Sequence, residues 1–422
     1  MRAVFRLLLV VLLGASLVSP AGAEMRPHRK QDRAAAAQQA GSDIVWGERI
    51  DLKPPVGAGR YPRLLQLTRG ARAGDLLLFY QTQMTGGDFW MYRSVDNGHS
   101  WGQPVQVNKA GDGWNYASCN VIQLDDGRLL MSMQRRLRGS NLAQDYYIDV
   151  RYSADGGQSW GPAQTVFQGA NWEGRPIQVP HDANGDGARD IYLFFTQRAV
   201  PTDVPAAQAS RSDDYGRAVA WIASYDGGRS WTDPNPERFT GRIVQRNFQE
   251  PRGEAATDDS GGGMPTPFVL PGPRIAFVAE QIGKAASPYV VASDPGDWDW
   301  TAGAFQGPWT SADYNGISDD RFYPVGKSNA WRVNDREFGG APYASVLPDG
   351  RVAVAVNSRF RINVWVGDRN ARNFVEQQRP FGPDRSFYSF IEPLSANEVL
   401  VGAGPVDEND GGFIYLRRGT IR

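Results

Sequence analysis

The sequence predicts an all-β chain built from repeats, on three observations. The octapeptide Ser94-Val95-Asp96-Asn97-Gly98-His99-Ser100-Trp101 recurs as Ser153-Ala154-Asp155-Gly156-Gly157-Gln158-Ser159-Trp160 and as Ser224-Tyr225-Asp226-Gly227-Gly228-Arg229-Ser230-Trp231. A pattern of apolar strand, turn and apolar strand recurs six times, at 64–80, 121–133, 177–195, 268–278, 344–356 and 390–400. No long stretch of 3.6-residue period with caps runs through the mature chain. Repeats of this size mean one supersecondary unit carried around a propeller or along a solenoid.

Each element has a local reason. Asn-Gly and Asp-Gly close strand–turn–strand connections because their central residues take positive φ. In the octapeptide the Ser and Asp side chains can cap exposed backbone N–H groups, and the trailing Trp can fold back over the turn. Asp96, Asp155 and Asp226 are therefore read as structural. Asp125-Asp126-Gly127, Asn184-Gly185-Asp186-Gly187, Pro271-Gly272-Pro273 and Pro348-Asp349-Gly350 supply turns inside four of the six units. The run Leu76-Leu77-Leu78-Phe79-Tyr80 and the alternation across 351–356 are strand-like. Forty-eight Gly and 28 Pro suit many short strands better than a few long elements.

The octapeptide resembles the Asp-box, or BNR repeat, of the sialidase superfamily. That resemblance implies a six-bladed β-propeller of four-stranded antiparallel blades, with the boxes on outer hairpins. The six strand–turn–strand units match that number, and the blades near the C-terminus have lost their boxes. The propeller is placed at 44–422 as one domain. The polar stretches 201–216 and 255–263 are read as inserted loops on one face.

Residues 1–23 read as a cleaved signal peptide: Arg2 and Arg6, the apolar run 7–13, then Ala21-Gly22-Ala23. The protein is expected to be secreted or periplasmic, with residues 24–43 a polar, disordered tail. Losing two arginines takes the formal charge of −1 to −3, which argues against nucleic-acid partners. The apolar run is too short to span a membrane. Cys119 is the single cysteine, so no intrachain disulfide can form. A monomer is expected.

An exported propeller rich in aromatic residues suggests a carbohydrate partner, an oligo- or polysaccharide. Cleaving a glycosidic bond takes two carboxyl groups, one protonated and one ionised. Two glutamates have distinctive contexts: Glu173 in Asn171-Trp172-Glu173-Gly174-Arg175-Pro176, and Glu280 at the end of Arg274-Ile275-Ala276-Phe277-Val278-Ala279-Glu280, downstream of Gly263-Met264-Pro265. Together with Tyr61-Pro62-Arg63, these segments resemble glycoside hydrolase family 93, the exo-acting arabinanases. The resemblance implies a retaining mechanism with Glu173 as nucleophile and Glu280 as acid/base, and no cofactor. The chain departs from the family at Gly174, where Pro is expected. Arg63, Asp88, Trp172, Arg175, Tyr323 and Tyr388 are candidate substrate-binding residues. Trp90, Trp114, Tyr116 and Trp331 are further aromatic candidates, and Glu250 and Glu254 are carboxylates in reserve.

Two other readings stand beside this one. A sialidase needs an arginine clamp, a Tyr nucleophile and an acid, and Arg63, Tyr388 and Asp88 offer pieces of it. Its Arg-Ile-Pro signature is not matched by Tyr61-Pro62-Arg63. A non-catalytic sugar-binding propeller would share the repeats. Separately, Asp182, Asn184, Asp186 and Asp190 have the spacing of a loop wrapping a structural Ca²⁺, although Leu193 takes the position of the bidentate Glu of an EF-hand.

Overall fold

The computed structural model describes residues 43–83, 86–140, 142–197, 217–232, 242–247, 261–282, 288–298, 330–333, 340–406 and 411–422. The expected signal peptide and almost all of the expected tail fall on residues 1–42, outside these. So do 201–216 and most of 255–263.

The unit Ser42–Arg422 is a six-bladed propeller of six four-stranded antiparallel sheets. From the axis outward, blade 1 runs Arg60–Gln66, Leu76–Gln81, Phe89–Ser94, Val105–Asn108. Blade 2 runs Trp114–Gln123, Leu129–Leu137, Tyr146–Ser153, Gln164–Gln168, and blade 3 Asn171–Gln178, Ile191–Gln197, Arg217–Ser224, Arg242–Asn247. Blade 4 runs Gly261–Leu270, Arg274–Ile282, Tyr289–Ala292, Ala330–Arg332, and blade 5 Gly340–Val346, Val352–Ser358, Arg361–Gly367, Val375–Glu376. Blade 6 takes Phe387–Ser395, Glu398–Gly404 and Ile414–Ile421 from the C-terminus, and its outer strand, Ile44–Leu52, from the N-terminus. The ring is thus closed by pairing the two ends of the chain, and the six expected units are the inner hairpins of the six blades.

The core is six wedges between neighbouring blades. Leu76, Leu78 and Tyr80 pack toward Phe390, Leu400 and Leu416 of blade 6, while Leu77 and Phe79 pack toward Leu129, Met131 and Met133 of blade 2. A strand with both faces covered needs apolar residues at every position, which explains the uninterrupted run 76–80. The other four wedges repeat the arrangement.

The three octapeptides fold alike. Ser94 Oγ donates to Asp96 Oδ1 and accepts from Gly98 N, and Ser100 N donates to Asp96 Oδ1 at 2.9 Å. Ser153, Asp155, Gly157 and Ser159 repeat every bond, as do Ser224, Asp226, Gly228 and Ser230. The trailing tryptophans reach past the turn into the wedge shared with the preceding blade: Trp101 with blade 6, Trp160 with blade 1, Trp231 with blade 2. Worn versions persist in later blades. Trp298, after Ser293-Asp294-Pro295-Gly296-Asp297, fills the wedge of blades 3 and 4. In blade 5 Asp368 accepts from Asn370 N and Arg372 N, and Phe374 takes the place of the Trp.

Candidate active site

Each innermost strand slips register at the same place, and that of blade 6 slips a second time between Pro393 and Ser395. The ladder steps from Arg60 to Arg63, Ala117 to Asn120, Trp172 to Arg175, Gly263 to Thr266, Gly340 to Tyr343 and Phe387 to Phe390 while the partner strand advances by two. One extra residue per strand is a β-bulge. The first residue of each bulge is left-handed, with φ from 48° to 55°: Tyr61, Ser118, Glu173, Met264, Ala341 and Tyr388. Such backbone is costly outside glycine and often marks a functional site. Six copies make it a property of this scaffold, so the conformation alone does not single out Glu173.

These six residues ring the axis. Tyr61, Met264 and Ala341 form a buried cluster with Tyr388 packed on it, and the Tyr61 and Tyr388 rings stack at 3.5 Å between centroids. Glu173 is the one carboxylate of the six, and it is buried. Burial drives the Tyr388 hydroxyl up to about 12; the Tyr61 hydrogen bond opposes this, and the charges of Glu173 and Glu280 add to it.

A second ring surrounds the first. The residue paired opposite each pre-bulge position is Gln81, Gln134, Thr196, Glu280, Asn357 or Gly404. Four of these clamp the next blade by accepting the N–H of its bulge residue. Gln81 Oε1 takes Ser118 N at 2.8 Å, Thr196 Oγ1 takes Met264 N at 2.8 Å, Glu280 Oε2 takes Ala341 N at 2.8 Å, and Asn357 Oδ1 takes Tyr388 N at 3.1 Å. Gln134 instead donates to the Asn171 carbonyl. Glu280 is the one carboxylate of this ring. Thr196 Oγ1 donates to Glu173 Oε2 at 3.4 Å, and a Cβ on Gly263 would sit 3.1 Å from that Oγ1 and 3.5 Å from Glu280 Oε1. The lack of a side chain at Gly263 keeps the space between Thr196 and Glu280 open.

Behind the bulge ring lies a polar layer. Arg63 Nε donates to Asn120 Oδ1, Asn120 Nδ2 to the Gly174 carbonyl, Thr266 Oγ1 to the Pro342 carbonyl, and the Tyr343 hydroxyl to Glu392. Arg63 and Arg175 belong here, each with its guanidinium 5.1 Å from the Tyr343 ring centre. The structure therefore separates these two arginines from the mouth, where the sequence reading had put them against substrate.

The remaining candidates divide. Trp172 adjoins Glu173 on the same strand, opposite Thr196, and Tyr388 is in the ring. Asp88 is not gathered with them, because Gln106 Nε2 and Ala110 N occupy its two oxygens at the outer strand of blade 1. Trp90 and Tyr116 pack into wedges between blades, and Trp114 lies under the Arg135 guanidinium at 4.6 Å. Tyr323, Glu250, Glu254 and the Trp331 side chain lie outside the described residues. In the 182–190 loop, Asp182 accepts from Gly185 N, Asp186 N and Gly187 N, Asp186 Oδ1 from Ala188 N, and buried Asp190 pairs with His181 Nδ1 at 2.6 Å. Asn184 Oδ1 accepts from Asp186 N. Among the described residues no group of three or more His, Cys, Asp or Glu is arranged to hold a metal.

Sequence reasoning missed Thr196, Tyr61 and Arg60. The triplet Arg60-Tyr61-Pro62 differs from Arg-Ile-Pro at its middle residue alone, so Arg60 is the arginine that signature would supply, rather than Arg63. Arg60 is buried just ahead of the bulge and donates to the Pro405 carbonyl.

No protein-family profile matches the chain. A sialidase of Paraclostridium sordellii is 29 % identical over 156 residues, 35 % of this chain and 32 % of that protein. The matched stretch thus spans about a third of the curated relative. An α-L-arabinanase of Penicillium chrysogenum, solved with arabinobiose, superposes with a TM-score of 0.55 at 16 % identity, covering 89 % of this chain and 99 % of that one. The fold is that of the sialidase-like propellers. A Hadza microbial sialidase also superposes on this chain with a TM-score of 0.55 at 11 % identity, over 86 % of it and 66 % of the other.

Proposed function

We propose that this sialidase-like propeller is a retaining glycoside hydrolase, with Glu173 and Glu280 as its two acids and arabinan as the leading substrate. One observation carries this reading. In each of two concentric rings, five positions of six are neutral, and the one carboxylate in each comes from neighbouring blades 3 and 4. Gln81, Thr196 and Asn357 make the clamp without a charge, so clamping alone does not require the carboxylate of Glu280.

In this reaction Glu173 attacks the anomeric carbon while Glu280 gives its proton to the departing glycosidic oxygen. Water then attacks the glycosyl-enzyme, Glu280 takes the water's proton, and Glu173 leaves. The ring floor of Tyr61, Met264 and Tyr388 offers an apolar face to sugar C–H groups.

The 29 % identical sialidase favours a second reading, with Tyr388 as nucleophile and Arg60 in the carboxylate clamp. The raised Tyr388 hydroxyl weighs against it, since burial holds that proton in place. The deciding experiment gives purified protein linear arabinan and a fluorogenic sialoside, and follows the anomeric configuration of the first product by NMR. Release of α-configured arabinose units that fails in Glu173→Gln and Glu280→Gln is the expected result. Sialic acid release that fails in Tyr388→Phe would replace it with the second reading, and binding without turnover would point to a sugar-binding propeller.

A further inference from the structure

The axis holds a second polar space, on the far side of the ring from the mouth and independent of the chemistry proposed there. Behind the ring the inner strands line a half-open cavity of about 520 Å³, with Arg63, Asn120, Arg175, Thr266, Tyr343 and Glu392 among its polar lining. It extends along the inner strands to Gln123, Gln178 and Arg189, toward the face of the inner-hairpin turns. Arg63 directs Nε to Asn120 and Nη1 to the carbonyls of Pro62 and Ser389. Arg175 is 3 % exposed and donates through Nη1 to the Pro342 carbonyl at 3.3 Å. Its Nε and Nη2 are buried with no hydrogen-bond partner among the described residues. Buried guanidinium donors are seldom left so.

The charges also fail to balance. Burial and the neighbouring Arg63 charge push Arg175 down to about 9, which shows the two cations acting on each other. Glu173 supplies one compensating charge from the ring. Burial pushes the Glu392 carboxyl up to about 7, against its hydrogen bond from Tyr343, so at neutral pH it supplies only about half a charge more. The Cys119 thiol near Arg63 is held protonated by burial.

We infer that this axial cavity binds a compact monovalent anion, a halide or small planar oxyanion, on the free Nε and Nη2 donors of Arg175 with Arg63 beside it. Leu65, Ile122, Ile177 and Phe268 on the walls disfavour a large, strongly hydrated polyanion.

The test is thermal unfolding of the full chain in sodium chloride, sodium nitrate and sodium gluconate at matched ionic strength. A bound anion stabilises the folded chain with the logarithm of its concentration above Kd. Tm should climb with chloride or nitrate beyond the gluconate baseline, in the native protein and in Glu280→Gln, and Arg175→Gln should lose the difference. Equal curves in all three salts for the native protein would overturn the site, leaving water as the occupant. Loss of the response in Glu280→Gln but not in Arg175→Gln would also overturn it, by moving the anion to the mouth. Should Arg175→Gln fail to fold, anomalous diffraction from crystals soaked in bromide decides: a peak within hydrogen-bond reach of Arg175 Nη2 supports the site, and its absence there rejects it.

Discussion

Glu280 accepts the Ala341 N–H in a place where Gln81, Thr196 and Asn357 do the same for their own neighbours. Glutamine can therefore replace it without loosening the joint between blades 4 and 5. Glu280→Gln is expected to leave Tm within about 1 °C, as a change below roughly 0.5 kcal/mol, while kcat falls at least about 10²-fold, as for a lost acid/base. A coupled drop in Tm and activity would instead mean that Glu280 is only a clamp. Glu392 gives a pH signature of its own. Its carboxyl is raised from 4.5 to about 7 in the folded chain, so folding prefers the neutral acid. That preference contributes fully below about pH 4.5 and is lost as pH rises through 7. Glu392→Gln keeps an acceptor for Tyr343 without the charge. Between pH 5 and 8 the native protein should lose about 1–3 kcal/mol relative to this variant, as read by denaturant unfolding at each pH. Both glutamates of the mouth were legible as residues in distinctive contexts. Their roles in two rings were not, because the ring positions share no residue identity and are defined only by strand pairing.

At the scale of elements, the octapeptide turns show how a short motif can be strongly diagnostic of fold and silent about chemistry. Asp155 works against the cost of its partial burial and is still drawn down to about 2, by the Ser159 hydroxyl and N–H with Ser153 and the Gln158 N–H helping. Its ionised form is the favoured one, so its contribution is present above about pH 4 and fades as pH falls through 2. Asp155→Ala should cost about 1–2 kcal/mol at pH 7 and leave turnover unchanged, since the turn is at the opposite end of the blade from the mouth. The bulges were half legible. Pro62, Pro265 and Pro342 each follow a left-handed residue, and proline inside a strand points to an edge or a bulge. Cys119, Gly174 and Ser389 occupy the same place with no such signal.

At the scale of the whole molecule, the propeller is held by six wedges and one seam. The seam pairs Ile44–Leu52 with Ile414–Ile421 and brings strands from opposite ends of the chain into one sheet. Removing residues 1–52 would expose the edge of Ile414–Ile421 and uncover Ile44's place in the wedge of blades 5 and 6. Such a truncation is expected to aggregate or to melt at least about 5 °C lower, a loss above roughly 2 kcal/mol, as read by calorimetry and light scattering.

The sequence by itself determined that the chain is all-β and sixfold, because turn chemistry and apolar runs are local and repeat along the chain. It also singled out Glu173 and Glu280. Only the tertiary structure decided that these two stand on adjacent blades, that Arg63 and Arg175 fall behind the ring rather than at its mouth, and that Asp88 is occupied elsewhere. Those facts depend on register and on closure around an axis. Both are set by contacts between residues far apart in the chain, and such contacts leave little trace in the order of residues along it.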